Sequence, residues 1–317
     1  MSTQPLLAVD HLRVEYPVRR GRFRAVDDVS FAVGWRETVG LVGESGSGKT
    51  SIANAVLGLA PVSAGTIGFD GEDIVGASRD RRRRLSASLQ VVFQNPYSSL
   101  NPSRTIGTTL AETLRPHGTP SKPEVKARTA SILERVGLDP AAADRYPSQF
   151  SGGQRQRIAI ARALIVAPRL VICDEPVSSL DLSVQAQVLN LLRSLQDELG
   201  LSYLFISHDL AVVRHIATRV VVLYRGRVME SGSAAAIYDH PVHPYTRALL
   251  QAAPVPNPGE QAGRRAARQR GPDELAGAPR LESCQFAARC PWAADVCREY
   301  RPQAELTGEG VFVACHR

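Results

Sequence analysis

Eight consecutive residues, Gly43-Glu44-Ser45-Gly46-Ser47-Gly48-Lys49-Thr50, followed by Ser51, carry the most specific chemistry in the chain. They fit the phosphate-loop pattern G-x-x-x-x-G-K-S/T. In that pattern glycines let successive backbone N–H groups converge on a phosphate, the lysine reaches the β- and γ-phosphates, and the hydroxyl holds Mg2+. The run follows ETVGLVG, which reads as a buried strand, and precedes a segment in which Ile52, Ala55, Val56 and Leu59 keep helical spacing. Strand, loop and helix are the context that a phosphate loop requires, and an ordinary glycine-rich turn does not supply it.

Nucleotide hydrolysis also needs a carboxylate for the metal and a group that orients or deprotonates water. The run Leu170-Val171-Ile172-Cys173-Asp174-Glu175-Pro176 offers both. An apolar strand ending in two acids places Asp174 near Mg2+ and makes Glu175 a candidate general base. Taken alone, the two acids would equally suit a solvated turn at a strand end. Cys173 reads as a small buried hydrophobe. Four other cysteines, Cys284, Cys290, Cys297 and Cys315, crowd the end of the chain. Four thiolates can enclose Zn2+ or an iron–sulfur cluster. Their spacing lacks the close C-x2-C knuckle of small zinc modules. His316 keeps a Cys3His zinc site open, and packed free thiols are the third reading.

The elements that must position these groups follow from the pattern along 317 residues, enough for one large domain and an appendage. Hydrophobic residues at 44% and charged residues at 22% exclude a disordered, collagen-like or coiled-coil chain. Short β-rich runs open the sequence, residues from about 95 to 165 are mostly helical and broken by prolines, and LVICD, YLFIS and RVVVLY are β-branched runs. Such runs separated by helical segments predict a parallel sheet covered on both faces, hence an α/β fold. The stretch PVPNPGEQAGRRAARQRGP reads as a mobile linker. The expected organisation is a nucleotide-binding domain over 1–255, a linker over 256–280 and a four-cysteine module over 281–317. The formal charge of +7 suits an anionic partner without choosing among nucleotide, nucleic acid and acidic lipid. Solvated surface is the plainer reading of Arg81 to Arg84, and a disordered linker of Arg264, Arg265, Arg268 and Arg270.

Phe150-Ser151-Gly152-Gly153-Gln154-Arg155-Gln156-Arg157 resembles the signature of ATP-binding cassette (ABC) ATPases. Other elements stand in the family's order: Gln94 resembles the Q-loop glutamine, Ser179-Leu180-Asp181 the D-loop, His208 the switch histidine and Tyr16 the aromatic that stacks on adenine. The resemblance implies a phosphate-loop ATPase fold, with a RecA-like core, a β-subdomain and a helical subdomain, plus a Cys-rich C-terminal extension. It implies catalytic roles for Glu175, His208 and Gln94, and Mg2+ held by Thr50, Gln94 and Asp174. It also implies that Ser151, Gly152, Gly153, Gln154 and Asp181 act on ATP bound by a second subunit. Phe150 stands where many members have leucine and Ser179 where alanine is commoner, and neither change removes a phosphate or metal group.

The strings VVFQNPYSSLNPSRTIG, SSLDLSVQAQVLNLL, YLFISHDLAVVRHI and HPVHPYTRALLQAAP resemble the ATPase subunits of bacterial oligopeptide and dipeptide importers. The implied partners are two transmembrane permease subunits, a second ABC ATPase, identical or paralogous, and indirectly an extracytoplasmic solute-binding protein. The region Gln94 to Asn101 is the implied permease contact. In that family some C-terminal extensions hold a [4Fe-4S] cluster, which makes the four cysteines its expected ligands. Importers of nickel or sugar are the near alternative. A soluble ABC protein acting on nucleic acid is the distant one, disfavoured because the phosphate loop and SGGQ each occur once and close together, so no nucleic acid is expected. A redox sensor would explain the cysteines but not the importer-like strings. MSTQPLLAVDHLRV lacks the pattern of a secretory signal, and no stretch reaches the roughly 18 uncharged apolar residues of a membrane span. The expected location is therefore the cytoplasmic face of the cell membrane, held peripherally.

Overall fold

The computed structural model describes residues 4–19, 21–95, 99–118, 121–252, 281–308 and 310–317. Strands β1 (Leu7–Pro17), β2 (Arg22–Val33), β4 (Val62–Phe69) and β5 (Glu72–Asp73) form an antiparallel sheet in the order β2-β1-β4-β5. The larger sheet contains β3 (Thr38–Val42), β6 (Leu89–Val92), β7 (Leu170–Asp174), β8 (Ser202–Ser207), β9 (Arg219–Tyr224), β10 (Arg227–Ser233), β11 (Glu305–Leu306) and β12 (Phe312–Val313). Its order is β11-β12-β10-β9-β3-β8-β7-β6. The five strands from β9 to β6 are parallel, and β10, β12 and β11 continue it antiparallel.

Successive side chains of a strand point to opposite faces, so a strand buried on both faces must be apolar throughout. In β7, Leu170 and Ile172 enter one core while Val171 and Cys173 enter the other. In β8, Leu204 and Ile206 divide from Tyr203 and Phe205 in the same way. The first core lies between the two sheets and takes Ile52 and Val56 from the helix Lys49–Leu57. The second takes Ile106 and Leu110, Ile158 and Ala161, and Val188 and Leu192 from the helices Ile106–Leu114, Gly152–Leu164 and Leu182–Leu199. Leu182–Leu199 starts where the Asp181 carboxylate accepts from the Val184 N–H at 3.0 Å. It ends at Gly200, whose φ of 66° lies in the left-handed region that stops a helix.

The expected helical region from about 95 to 165 contains Ile106–Leu114, Lys122–Arg135 and Gly152–Leu164. The expected linker, 256–280, lies outside the described residues, as do Arg264, Arg265, Arg268 and Arg270. The four-cysteine stretch differs from expectation, because it is not a separate body. Its β12 pairs with β10, Glu230 opposite Val313 and Ser231 opposite Phe312. Arg227 lies buried on Asp27 at 2.6 Å, and its guanidinium also donates to the carbonyls of Leu281 and Ser283. Strand addition draws on backbone hydrogen bonds, so composition gave no sign of it. The Arg81 to Arg84 run is likewise only partly solvent: Arg81 pairs with Glu72 at 2.9 Å, while Arg82 donates to the carbonyls of Val56 and Ile74.

Candidate nucleotide site

β3 ends at Val42, the loop Gly43–Gly48 follows, and the helix Lys49–Leu57 begins, so the sheet aims the loop at the N-terminus of a helix. Two glycines are required there. A Cβ on Gly43 would lie 2.1 Å from the Leu223 carbonyl oxygen, and Gly48 has a φ of +104° with the Ala25 carbonyl 2.6 Å from where its Cβ would be. Lys49 Nζ donates to the carbonyls of Gly43 at 2.7 Å and Glu44 at 2.9 Å. Burial lowers the Lys49 pKa, against the opposing charges of Glu175, Asp174 and Glu44. Ser47 is buried, whereas Ser45, Gly46 and Thr50 are exposed.

The second group of residues arrives from the C-terminal ends of neighbouring parallel strands. Asp174 closes β7, and the Thr50 hydroxyl donates to its Oδ1 at 3.5 Å. Burial, and then the Glu175 charge, raise the Asp174 carboxyl, an unfavourable placement that a divalent cation would relieve. A hydroxyl and a carboxylate with that need are the donor set of Mg2+, so the residues fit the ion. Glu175 follows with a φ of 47°, uncommon for a non-glycine residue, and its N–H donates to the Ile206 carbonyl at 3.0 Å. Gln94 Nε2 donates to Glu175 Oε2 at 3.0 Å, and His208 Nδ1 lies 3.1 Å from the same oxygen. The strained turn thus directs one carboxylate oxygen at both groups. Tyr16, on β1, donates to Ser51 Oγ at 3.4 Å, which sets the ring beside the loop's helix.

Ser151, Gly152, Gly153 and Gln154 stand apart. Ser151 Oγ accepts from the Gln154 N–H at 3.3 Å and Gln154 Oε1 accepts from the Ser151 N–H at 3.0 Å, a reciprocal cap on the helix Gly152–Leu164. Gly153 faces Val184, the nearest side chain to where its Cβ would be. Among the described residues no hydrogen bond joins these four to the phosphate loop. Asp181 caps its own helix. Three residues that the sequence did not single out also belong here. Ser178 Oγ accepts from Gln94 Nε2 at 3.3 Å, the Tyr245 phenol oxygen accepts from the Glu44 N–H at 3.0 Å, and Arg289 forms a two-bond pair with the Glu44 carboxylate. Tyr245 stands in an importer-like string, but only the folded chain shows its contact.

Cys284, Cys290, Cys297 and Cys315 are free thiols. They lie close enough for Cys284 to feel the charge of the other three and Cys290 that of Cys315 and Cys297, and the Cys284 N–H donates to the Cys297 carbonyl at 2.9 Å. Even so, among the described residues no three His, Cys, Asp or Glu side chains are grouped to hold a metal ion. The expected metal centre therefore has no preset ligand cage. Burial, first, pushes the Cys284 and Cys290 thiols up. Cys173, fully buried, is also pushed up by burial and is inert packing.

Residues 26–178 match the family model described as ABC transporter, and residues 229–297 match that of the oligopeptide/dipeptide transporter C-terminal region. The chain is 49% identical over 317 residues to a peptide import ATP-binding protein of Brucella ovis, covering 100% of this chain and 99% of that one. It is 44% identical to the oligopeptide transport ATP-binding protein OppF of Salmonella typhimurium (95% and 92% covered) and 43% to AppF of Bacillus subtilis (99% and 98%). Among solved structures it is similar to a dimeric ATP-binding cassette in a post-hydrolysis state bound to ADP and Pi. That match has a TM-score of 0.65 at 26% identity, covering 72% of this chain and 98% of that one. CbiO1 of Clostridium perfringens, part of an ABC transporter complex, superposes with a TM-score of 0.67 at 27% identity, with 74% and 91% covered. The likeness extends from the phosphate loop to the segment that docks on β10, and the chain belongs to the ABC transporter ATP-binding proteins of the oligopeptide/dipeptide group.

Proposed function

We propose that this chain hydrolyses ATP to drive peptide import through a membrane permease. The observation that carries the reading is the Glu175 carboxylate, held by Gln94 at 3.0 Å and His208 at 3.1 Å one residue beyond the Asp174–Thr50 pair. The loop amides and Lys49 bind the β- and γ-phosphates, Tyr16 stacks on the adenine, and Thr50, Asp174 and Gln94 hold Mg2+. The ion, when bound, neutralises charge on the phosphate oxygens. Glu175 takes the proton of the attacking water, and His208 and Gln94 fix the orientation of its carboxylate.

The second half of each site comes from a partner ATPase, in which Ser151, Gly152, Gly153 and Gln154 meet the γ-phosphate and Asp181 lies across the contact. Isolation of Ser151 from its own phosphate loop supports this division. A mixed dimer with Ser151→Arg in one subunit and Lys49→Ala in the other places both defects in one site and leaves the second whole. ATP occlusion should fall to about half that of the unmodified dimer, and loss at both sites would refute the division.

The Gln94–Asn101 surface, of which 96–98 lie outside the described residues, would receive the short cytoplasmic helices of two permease subunits. Among the described residues no helix is long and apolar enough to cross a membrane, so attachment would be peripheral, at the cytoplasmic face. Labelled-peptide uptake by proteoliposomes holding the assembled transporter tests the substrate class, and uptake of nickel or sugar instead would exclude peptide. The [4Fe-4S] cluster finds no support in the placement of the four cysteines among the described residues. Iron and zinc content of protein purified without oxygen decides its presence.

A further inference from the structure

A carboxylate beside a triphosphate site is a liability, because like charges repel within a few ångströms. Glu44, the second residue of the phosphate loop, is such a carboxylate, and its charge reaches Lys49. Its oxygens accept two hydrogen bonds from one guanidinium: Arg289 Nη1 to Oε2 at 2.8 Å and Arg289 Nη2 to Oε1 at 2.9 Å. Paired donors of this kind match a carboxylate in both charge and shape. Arg289 comes from the docked C-terminal segment, in the short turn Ala287–Arg289 that directly precedes Cys290. Its guanidinium lies 5.7 Å from the ring centres of both Tyr224 and Phe286, which flank it as a rigid support. Tyr245 holds the Glu44 N–H, and the rings of Tyr245, Tyr224 and Phe286 pack tilted or edge-on against one another with centres 4.6 to 5.5 Å apart. One aromatic cluster therefore joins the C-terminal segment to the main chain and, through Arg289, to the side chain of the same loop residue.

We propose that Arg289 is a positioning residue for nucleotide binding: it masks the Glu44 charge and fixes the loop, so that docking of the C-terminal segment sets the affinity for ATP. The Glu44 carbonyl is also an acceptor for Lys49 Nζ, so displacement of Glu44 displaces the group that must turn to the phosphates. The pair itself is part-exposed, at 35% for Arg289 and 41% for Glu44, and such pairs add little to fold stability. Its effect falls on the ligand, which distinguishes a positioning role from a structural one.

The inference rests on Gly43–Thr50 being the ATP site, and the test separates the two. Equilibrium binding of Mg-ATP to the full chain is measured for Arg289→Ala in the native background and in a Glu44→Gln background. In the first, Kd rises about tenfold, the size expected for uncovering one charge near another. In the second, Arg289→Ala changes Kd less than about twofold, since no charge is left to mask. Arg289→Lys recovers part of the loss, and the melting temperature of Arg289→Ala stays near that of the parent. Native affinity in Arg289→Ala, or an equal loss in both backgrounds, overturns the proposal. Lys49→Ala is the control: if it loses ATP while Arg289→Ala does not, only this inference falls. If Lys49→Ala binds normally, the ATP site falls and this inference with it.

Discussion

Replacing Glu175 with glutamine lowers steady-state ATP hydrolysis roughly a thousandfold, the scale of a lost general base, while ATP remains bound. Glutamine preserves the length and shape of the side chain, and its amide oxygen can still accept from Gln94 Nε2, which lies 3.0 Å from the carboxylate. It cannot take a proton from water. Phosphate contacts at Gly43–Lys49 are untouched, so the nucleotide is trapped and the ATP-bound dimer accumulates. ATPase of the assembled complex beside ATP-dependent dimerisation is the measurement, and near-normal turnover would end the assignment. Lys49→Ala gives the opposite failure, since its effect is on binding: little nucleotide is retained and no dimer builds up.

Asp27→Asn should destabilise the fold by about 3 kcal/mol or more, the usual cost of removing one partner of a buried pair. Asp27 and Arg227 have only 5% and 6% of their side chains exposed, and Arg24 and Arg13 also approach Asp27 at 3.1 and 3.4 Å. Without the carboxylate these guanidiniums face one another. Urea or thermal unfolding reads the loss. In Asp27→Asn/Arg227→Met much of it should return, because the central buried charge has gone too, although the Arg227 bonds to Leu281 and Ser283 are lost. Burial alone would push the Asp27 carboxyl up, but Arg227 first, then Arg24 and Arg301, hold it below its ordinary value. A depressed carboxylate stabilises the fold fully above its unfolded pKa of about 4 and loses that contribution as pH falls through the lower folded value. The acid limb of the stability profile should therefore be flatter in Asp27→Asn.

The sequence is most informative where a backbone requirement restricts residue type. Gly43 and Gly48 leave no room for a Cβ, Lys49 and Thr50 follow at fixed spacing, and LVICD has the unbroken apolar pattern of a strand buried on both faces. Those features marked the loop, the central sheet and the acids at its end. Contacts between distant segments leave no such trace. Nothing in the type of Ser178, Tyr245 or Arg289 separates a phosphate-loop contact from a surface residue, since each acts through a hydrogen bond closed only by the fold. The docking of the C-terminal stretch is hidden for a related reason. Its anchoring comes from main-chain pairing with β10 and from carbonyls accepting from Arg227, neither of which a residue type announces. The cysteines alone could not report that support.

The pairing of β12 with β10 also has a bearing on solubility. A bare strand at the border of a sheet offers unmatched N–H and C=O groups to any extended chain, and proteins guard such borders to avoid polymerising. Here β12 covers β10, and the outermost strand, β11, is only two residues long, too short to template a growing stack. In this sheet of eight strands the C-terminal stretch thus covers the β10 border and leaves a two-residue strand outermost on that side. A chain cut before residue 281 would leave Glu230 and Ser231 without their partners Val313 and Phe312 and present that border to its neighbours.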